Sequence, residues 1–354
     1  MADTNLQAHV IALLSDPETH GLAGRSVARL DTHASAIFFA GEWVYKLKHA
    51  VRYPFLDFST LKQRERACAA ELRLNRRTAP DLYLGVCPVI RTGNGGLALG
   101  PLQADGPVAA GNAEVVDWLV VMRRFDQTAL LSQQADAGTL KVADMPQLAA
   151  NVAKLHTNAE SVTAHGSEAL ASIVRGNDAA FRQRPDLFDP AAVAAFTAAC
   201  HDWLASRRSL LDRRAADGLV RRCHGDLHLG NIVMLGGEPT PFDAIEFDAG
   251  LAETDVLYDL AFLLMDLDQR GLAAHANRVL NSYLDHRDDL EGLAAMPLFL
   301  ALRAGIRAKV ASLATENQPD AESRAARAGE AERYFAAARQ CLDPPPARLV
   351  AIGG

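Results

Sequence analysis

Apolar positions in this chain follow two different periods, and the change comes near residue 124. Before it, short apolar runs bounded by glycine and polar turns predict strands at residues 26–30, 36–40, 43–47, 83–91, 97–100 and 118–124. Gly41-Glu42 makes a tight hairpin between the second and third, and 92–96 is a turn. Helical spacing is predicted at 5–16 and at 59–78, the latter with Ser59 as its N-cap and Leu61, Cys68, Leu72 and Leu74 on its apolar side. After Phe125 the chain turns Ala-rich, with helices expected at 145–156, 191–214 and 298–313. One strand pair interrupts them, at 231–235 and 241–247, joined by Gly236-Gly237.

Composition narrows the class without choosing a function. The 354 residues are 49% hydrophobic and 22% charged, enough chain for two ordinary cores. A net charge of −7 argues against a nucleic-acid-binding surface, which needs clustered Lys and Arg. The five cysteines (Cys68, Cys87, Cys200, Cys223, Cys341) are scattered and odd in number, without a Cys-x-x-Cys pair. They predict neither a disulfide framework nor a zinc site, and a reducing cytoplasm is the expected compartment. The N-terminus lacks a basic-then-apolar run, and no stretch reaches about 18 apolar residues, so neither a signal peptide nor a membrane span is expected.

The chemistry concentrates around the interrupting strand pair. Asp226 is followed five residues later by Asn231 and, twelve residues beyond that, by Asp243. Phosphoryl transfer needs such a set: one carboxylate to take or orient the proton of an attacking hydroxyl, and an amide plus a second carboxylate to hold Mg²⁺ against nucleotide phosphates. Asp-x-x-x-x-Asn followed by an Asp on the next hairpin is the kinase form of that set. Upstream, alternation puts Val44, Lys46 and Lys48 on one face of a strand. A lysine facing inward between apolar neighbours is costly unless it meets an anion, which assigns Lys46 to the nucleotide phosphates. Lys48, nearer the strand end, is expected in solvent. Two other readings stay open: lysines guarding an edge strand, and a hydrolytic metal site built from His224, Asp226 and His228.

His224-Gly225-Asp226 in place of His-Arg-Asp, with Asn231 and Asp243, resembles the aminoglycoside phosphotransferase (choline-kinase-like) family. The resemblance runs from about residue 25 to 340 and is strongest at 223–264. It implies an α+β, two-lobed protein-kinase-like fold, with a β-rich nucleotide-binding lobe at 1–124 and a helical lobe at 125–340. The implied reaction moves the γ-phosphate of ATP to a hydroxyl of a small molecule, with Mg²⁺ as cofactor. Asp226 would be the base, Asn231 and Asp243 the metal ligands, and Lys46 the phosphate lysine. Glu71 is preferred to Glu65 as the partner of Lys46. Ser35 is a candidate phosphate contact, and backbone groups from Met122 to Arg124 are expected to read the adenine edge. Asp255 and Asp259 would buttress the catalytic loop, His156 would be packed core, and Arg303 and Arg307 would answer the acidic helix at 253–268 rather than an anionic substrate. The Glu71-to-Asn75 run and the tail at 341–354 resemble the kinase-like half of bifunctional proteins that also carry a P-loop domain. The tail is a proline-rich linker and then an apolar strand entering glycines, without the Gly-Lys-Ser/Thr of a phosphate loop. A non-catalytic nucleotide-binding domain serving such a partner is the alternative reading.

Overall fold

The computed structural model describes residues 2–22, 24–53, 56–107, 113–163, 166–318 and 320–344. The glycine-fed strand expected at 348–354 lies outside the described residues. Contacts divide the chain into a sheet unit (up to Leu140, with His224–Asp226 and Gly230–Ala252) and a helical unit (Lys141–Cys223, Leu227–Leu229 and the chain from Glu253 on). This is the α+β organisation of a two-lobed protein-kinase-like fold.

The sheet unit contains α1 (Ala2–Ser15), β1 (Ala28–Asp31), β2 (Ser35–Ala40), β3 (Trp43–Lys48), α2 (Leu61–Asn75), β4 (Tyr83–Arg91), β5 (Leu97–Leu99) and β6 (Val115–Arg123). The strands form one antiparallel sheet in the order β1-β2-β3-β6-β4-β5. Both faces are covered, which is why β6 reads as a nearly unbroken apolar run. Leu119 and Val121 pack with Leu47, Phe38 and the α1 residues Val10 and Leu14. Trp118 and Val120, on the opposite face, pack with Tyr83, Val86 and the α2 residues Cys68 and Leu72.

The polar exception in β6 ties both helices to the sheet. Asp117 is fully buried; its carboxylate accepts from Arg64 Nε of α2 at 2.7 Å and from Gln7 Nε2 of α1 at 2.9 Å. Gln7 also donates to the Lys48 carbonyl and accepts from the Ala50 N–H, each at 2.8 Å, so α1 fixes the end of β3. The start of α2 differs from expectation. Thr60 is the N-cap, in a reciprocal capping box with Gln63, while the Ser59 hydroxyl turns back to Asp57. Only Thr60 has Gln at the third helical position to complete the box.

The later hairpin is β7 (Ile232–Leu235) and β8 (Glu238–Pro241), closed by Gly236 and Gly237 at φ +56° and +88°. That two-residue turn sets the second strand earlier than the expected 241–247.

The helical unit is built from α3 (Met145–Asn158), α4 (Gly166–Arg182), α5 (Pro190–Ala216), α6 (Val256–Gln269), α7 (Ala273–His286), α8 (Met296–Ala314) and α9 (Ala321–Cys341). Every residue of α6 from Val256 to Leu267 is buried, so it is the core helix. His156 is fully buried, with Nδ1 2.8 Å from Tyr283 Oη and Nε2 3.1 Å from Asp259 Oδ2. His156, Cys223 and Asp259 present ligand-type atoms within 4.8 Å of one another. Both imidazole nitrogens are already engaged, so the group is packed core. Asp255 caps α6 and takes a two-pronged bond from Arg214, which also reaches Asp289. Arg303 is buried against Asp259 at 3.6 Å with its guanidinium over Tyr258 and Phe262, and Arg307 pairs with Glu330. Among the described residues no helix is long and apolar enough to cross a membrane.

Removing one partner of a buried ion pair leaves an uncompensated charge, whereas exposed pairs contribute little. Arg64→Met, which strands the buried Asp117, should lower stability by about 3–5 kcal/mol in urea unfolding. Arg29→Ala, which breaks an exposed pair with Asp31, should change it by about 0.5 kcal/mol or less.

Candidate active site

The site is assembled within the sheet unit from β3, α2 and the segment after β8. Lys46 and Lys48 both project from the α2 side of β3, a strand with neighbours on both edges. Lys46 Nζ donates to Glu71 Oε1 at 2.9 Å and to Asp243 Oδ1 at 2.7 Å. Glu71 Oε2 takes Lys48 Nζ at 2.6 Å, and Lys48 also pairs with Glu246. The expectation of a solvated Lys48 is therefore overturned: its side chain is 1% exposed, with Nζ 4.9 Å from the Phe58 ring centroid. An interior strand gives it no path to water, and two carboxylates meet it instead. The edge-strand reading fails for the same reason. Glu65 is half-buried at the side of α2 and faces Lys62 at 3.2 Å.

These charges hold one another ionised. Burial alone would lower the Lys46 ammonium, yet Asp243 and Glu71 raise it well above its ordinary value. Burial alone would raise the Glu71 carboxyl, yet Lys46 and Lys48 bring it down to about 2. Glu246 goes the other way: burial, aided by the charge of Glu71, pushes it up against the pull of Lys48.

The Asp243 segment is fixed by its backbone. Asp243 has φ +61°, a conformation Asp tolerates better than bulky residues do, and is the one non-glycine with positive φ among the described residues. Its N–H donates to Tyr83 Oη at 3.2 Å, and the Ala244 N–H donates to Asn75 Oδ1 at 2.8 Å. Asn75, fully buried at the end of α2, returns its Nδ2 to the Glu71 carbonyl at 3.0 Å. His224 Nε2 donates to the Phe242 carbonyl at 2.9 Å, while its own carbonyl accepts from the Ile245 N–H at 2.9 Å. Gly225 has φ +85°, and a Cβ there would sit 3.1–3.2 Å from Ile245 and Ala252, so glycine is needed beside Asp226.

Asn231 Nδ2 donates to Asp226 Oδ2 at 2.9 Å and to the Asp226 carbonyl at 3.0 Å, and the Asn231 carbonyl accepts from the Phe242 N–H. With its nitrogen so engaged, the Asn231 amide has its oxygen left as a ligand atom. Asp243, with a side chain 41% exposed, gives Lys46 only one of its two oxygens. An amide oxygen and a carboxylate are the hard ligands that Mg²⁺ prefers, so the residues fit that ion.

Other predicted residues are placed differently. Ser35 stands opposite Lys48 on the lysine face but is only 3% exposed. Met122 lies within the sheet, paired in register with Val44 and Tyr83. The N–H groups of Arg123 and Arg124 are taken by the Leu82 and Glu42 carbonyls at 2.8 Å. His224 Nε2 is committed to a carbonyl, and the His228 ring lies 5.2 Å from that of Phe262. The former leaves that nitrogen unavailable to the metal-hydrolase arrangement. Nothing in the sequence marks Tyr83, whereas Glu246 is one of the acids beyond Asp243 that suit a cationic acceptor, Mg²⁺ or buttressing alike.

No protein-family model matches the chain. Uncharacterized proteins of Mycobacterium tuberculosis (strain H37Rv) and Mycobacterium bovis are each 28% identical over 330 residues, 92% of this chain and 61% of theirs. The chain thus spans 61% of the length of the curated relatives it matches. Among solved structures, a choline/ethanolamine kinase family protein of Mesorhizobium loti aligns with TM-score 0.45 and 16% identity, over 95% of this chain and 99% of that one. An ethanolamine kinase of Plasmodium vivax gives 0.49 and 12%, over 88% and 81%. Aminoglycoside 2'-phosphotransferase-IIIa in its GDP complex gives 0.49 and 13%, over 93% and 98%. At these scores the likenesses add nothing to the topology described above.

The depressed Glu71 carboxyl gives a pH signature. A carboxyl lowered in the fold contributes stability above its ordinary value, and the contribution is lost as pH falls through the folded one. For Glu71 that window runs from 4.5 down to about 2. Glu246, raised by burial, has the opposite sign. The stability difference between wild type and Glu71→Gln should shrink by ~3 kcal/mol between about pH 5 and pH 2, measured by thermal unfolding. A difference independent of pH in that window would show that Glu71 is not the ionised partner of the lysines.

Proposed function

We propose that the chain is a small-molecule phosphotransferase that moves the γ-phosphate of ATP, with Mg²⁺, to an alcohol hydroxyl. The observation that carries the reading is the pairing of Lys46 with both Glu71 and Asp243, in the same unit as the Asn231–Asp226 couple. Glu71, buried and ionised, holds the ammonium in place whether or not a nucleotide is bound. Lys46 can then exchange its bond to Asp243 for one to a phosphate oxygen, which frees the Asp243 carboxylate for the metal. Asn231 and Asp243 would hold Mg²⁺, which when bound offsets charge on the phosphates. Asn231 also orients Asp226 by gripping Oδ2, and the Asp226 carboxylate accepts the proton of the attacking hydroxyl. The adenine edge falls to main-chain groups from Phe125 onward, since the preceding N–H groups are used within the protein. Gly225 and the His224–Phe242 bond keep Asp226 and Asp243 in register by linking the chain segments that carry them.

Binding of ATP and its slow hydrolysis, with and without Mg²⁺, test this directly. Wild type should bind and turn over. Asp226→Asn should bind ATP·Mg²⁺ within about threefold of wild type while turnover falls by about 10²-fold or more. Asp243→Asn should lose the Mg²⁺-dependent part of binding. Tight binding with no turnover, on any alcohol acceptor supplied, would instead favour a non-catalytic nucleotide-binding domain. Failure of wild type to bind ATP·Mg²⁺ would end the nucleotide reading.

A further inference from the structure

The second lysine of β3 has no place in the reaction just described, yet it is the more deeply buried of the two. Lys48 Nζ lies between Glu71 Oε2, at 2.6 Å, and Glu246, with side-chain exposures of 1%, 0% and 7% for the three residues. A charge so enclosed cannot reach a nucleotide. Whatever it does, it does through the two carboxylates it holds.

Those carboxylates sit on different segments. Glu71 belongs to α2 and shares its other oxygen with Lys46, whereas Glu246 is three residues beyond Asp243. Two charged links therefore join the β3–α2 frame to the Asp243 segment: Lys46 to Asp243, and Lys48 to Glu246. Only the first must open when phosphate oxygens take Lys46. The second is located by the backbone at its root: the Lys48 carbonyl accepts from Gln7 at 2.8 Å, and Lys48 pairs in register with Ser35.

We propose that Lys48 and Glu246 are positioning residues, a permanent ion pair that keeps the Asp243 carboxylate in place for the divalent cation while Lys46 is handed from Asp243 to the nucleotide. The inference rests on the phosphotransferase reading and extends it by dividing labour between the lysines. Lys46 serves the nucleotide, and Lys48 serves the metal ligand. Without Lys48, Glu71 would lose one of its two cations, and Glu246 would lose its contacting counter-charge, leaving only the weaker pull of Lys46 against the burial that favours its neutral form. Beyond Ala244, whose N–H is held by Asn75, the segment would then lose its charged link to the β3–α2 frame.

The test is a titration of ATP binding against Mg²⁺, read by calorimetry, beside turnover and thermal unfolding. For Lys48→Met and Glu246→Gln, the Mg²⁺ concentration giving half-maximal ATP binding should rise about tenfold or more. Binding of ATP in excess chelator should stay within about twofold of wild type, and kcat at saturating Mg²⁺ within about threefold. Lys46→Met should do the reverse, losing ATP affinity with and without Mg²⁺. If burial of a lone charge prevents folding of Lys48→Met, the double variant Lys48→Met/Glu246→Leu, which removes both charges, carries the test. It should fold and keep the raised Mg²⁺ requirement. A folded single or double variant with the wild-type Mg²⁺ requirement would overturn the inference while leaving the phosphotransferase reading intact. Absence of ATP·Mg²⁺ binding in wild type would overturn both.

Discussion

Five ionisable side chains alternate in sign through the interior of the sheet unit, in the order Asp243, Lys46, Glu71, Lys48 and Glu246. Taking such groups out of water costs several kcal/mol each, and only close, well-hydrogen-bonded opposite charges return it. Here each lysine touches two carboxylates, and Glu71 divides its oxygens between two lysines. No internal member of the chain can be removed without stranding a neighbour. The rest of the unit is arranged so that these distances are met: β3 lies inside the sheet, α2 crosses the same face, and the Asp243 segment is pinned to both.

That pinning uses neutral hydrogen bonds rather than further charge. Tyr83 and Asn75 hold the main chain of Asp243 and Ala244, and Asn75 does so from the last turn of the helix that carries Glu71. The two ends of α2 are thus fixed by different partners: Arg64 to Asp117 near its start, Asn75 to Ala244 at its finish. Because Asp117 also receives Gln7, helix α1 is wired into the same frame on the far face of the sheet. A rigid lysine–glutamate pair follows from this bracing more than from its own Coulomb energy.

Much of this was legible in the residues. Short apolar runs bounded by turns placed β2, β3, β4 and β6 within a few positions, and the inward-facing lysine implied an anionic partner. The Glu71-to-Asn75 run pointed at the helix residue whose carboxylate meets Lys46. Lys48 was misread because alternation gives the face of a strand but not its depth. Only the sheet order, with β6 beside β3, shows that the strand end is enclosed. The internal bonding of the Arg123 and Arg124 N–H groups was hidden from the sequence for a related reason. Which main-chain N–H groups are spent on neighbouring strands depends on pairing partners far away in sequence, Leu82 and Glu42, and no local pattern marks them. Thr60 displaced Ser59 as helix cap through a choice between adjacent hydroxyls that Gln63 decides.

Charge balance along the chain carries the argument one step further. With all five groups ionised, two positive and three negative charges leave one negative charge in excess, and the Asp243 end is the exposed one, at 41% against 0–13% for the others. At about 4 Å and an effective dielectric near 20, each unit pair is worth roughly 4 kcal/mol. The surplus therefore has a preferred location, at the one carboxylate that can still be solvated or meet a cation. On the proposed reading, Lys46 would move between Asp243 and an incoming phosphate at little net cost only if a cation replaced it on Asp243. Nucleotide and divalent ion would then strengthen each other's binding, because either alone leaves one end of the buried chain less well balanced.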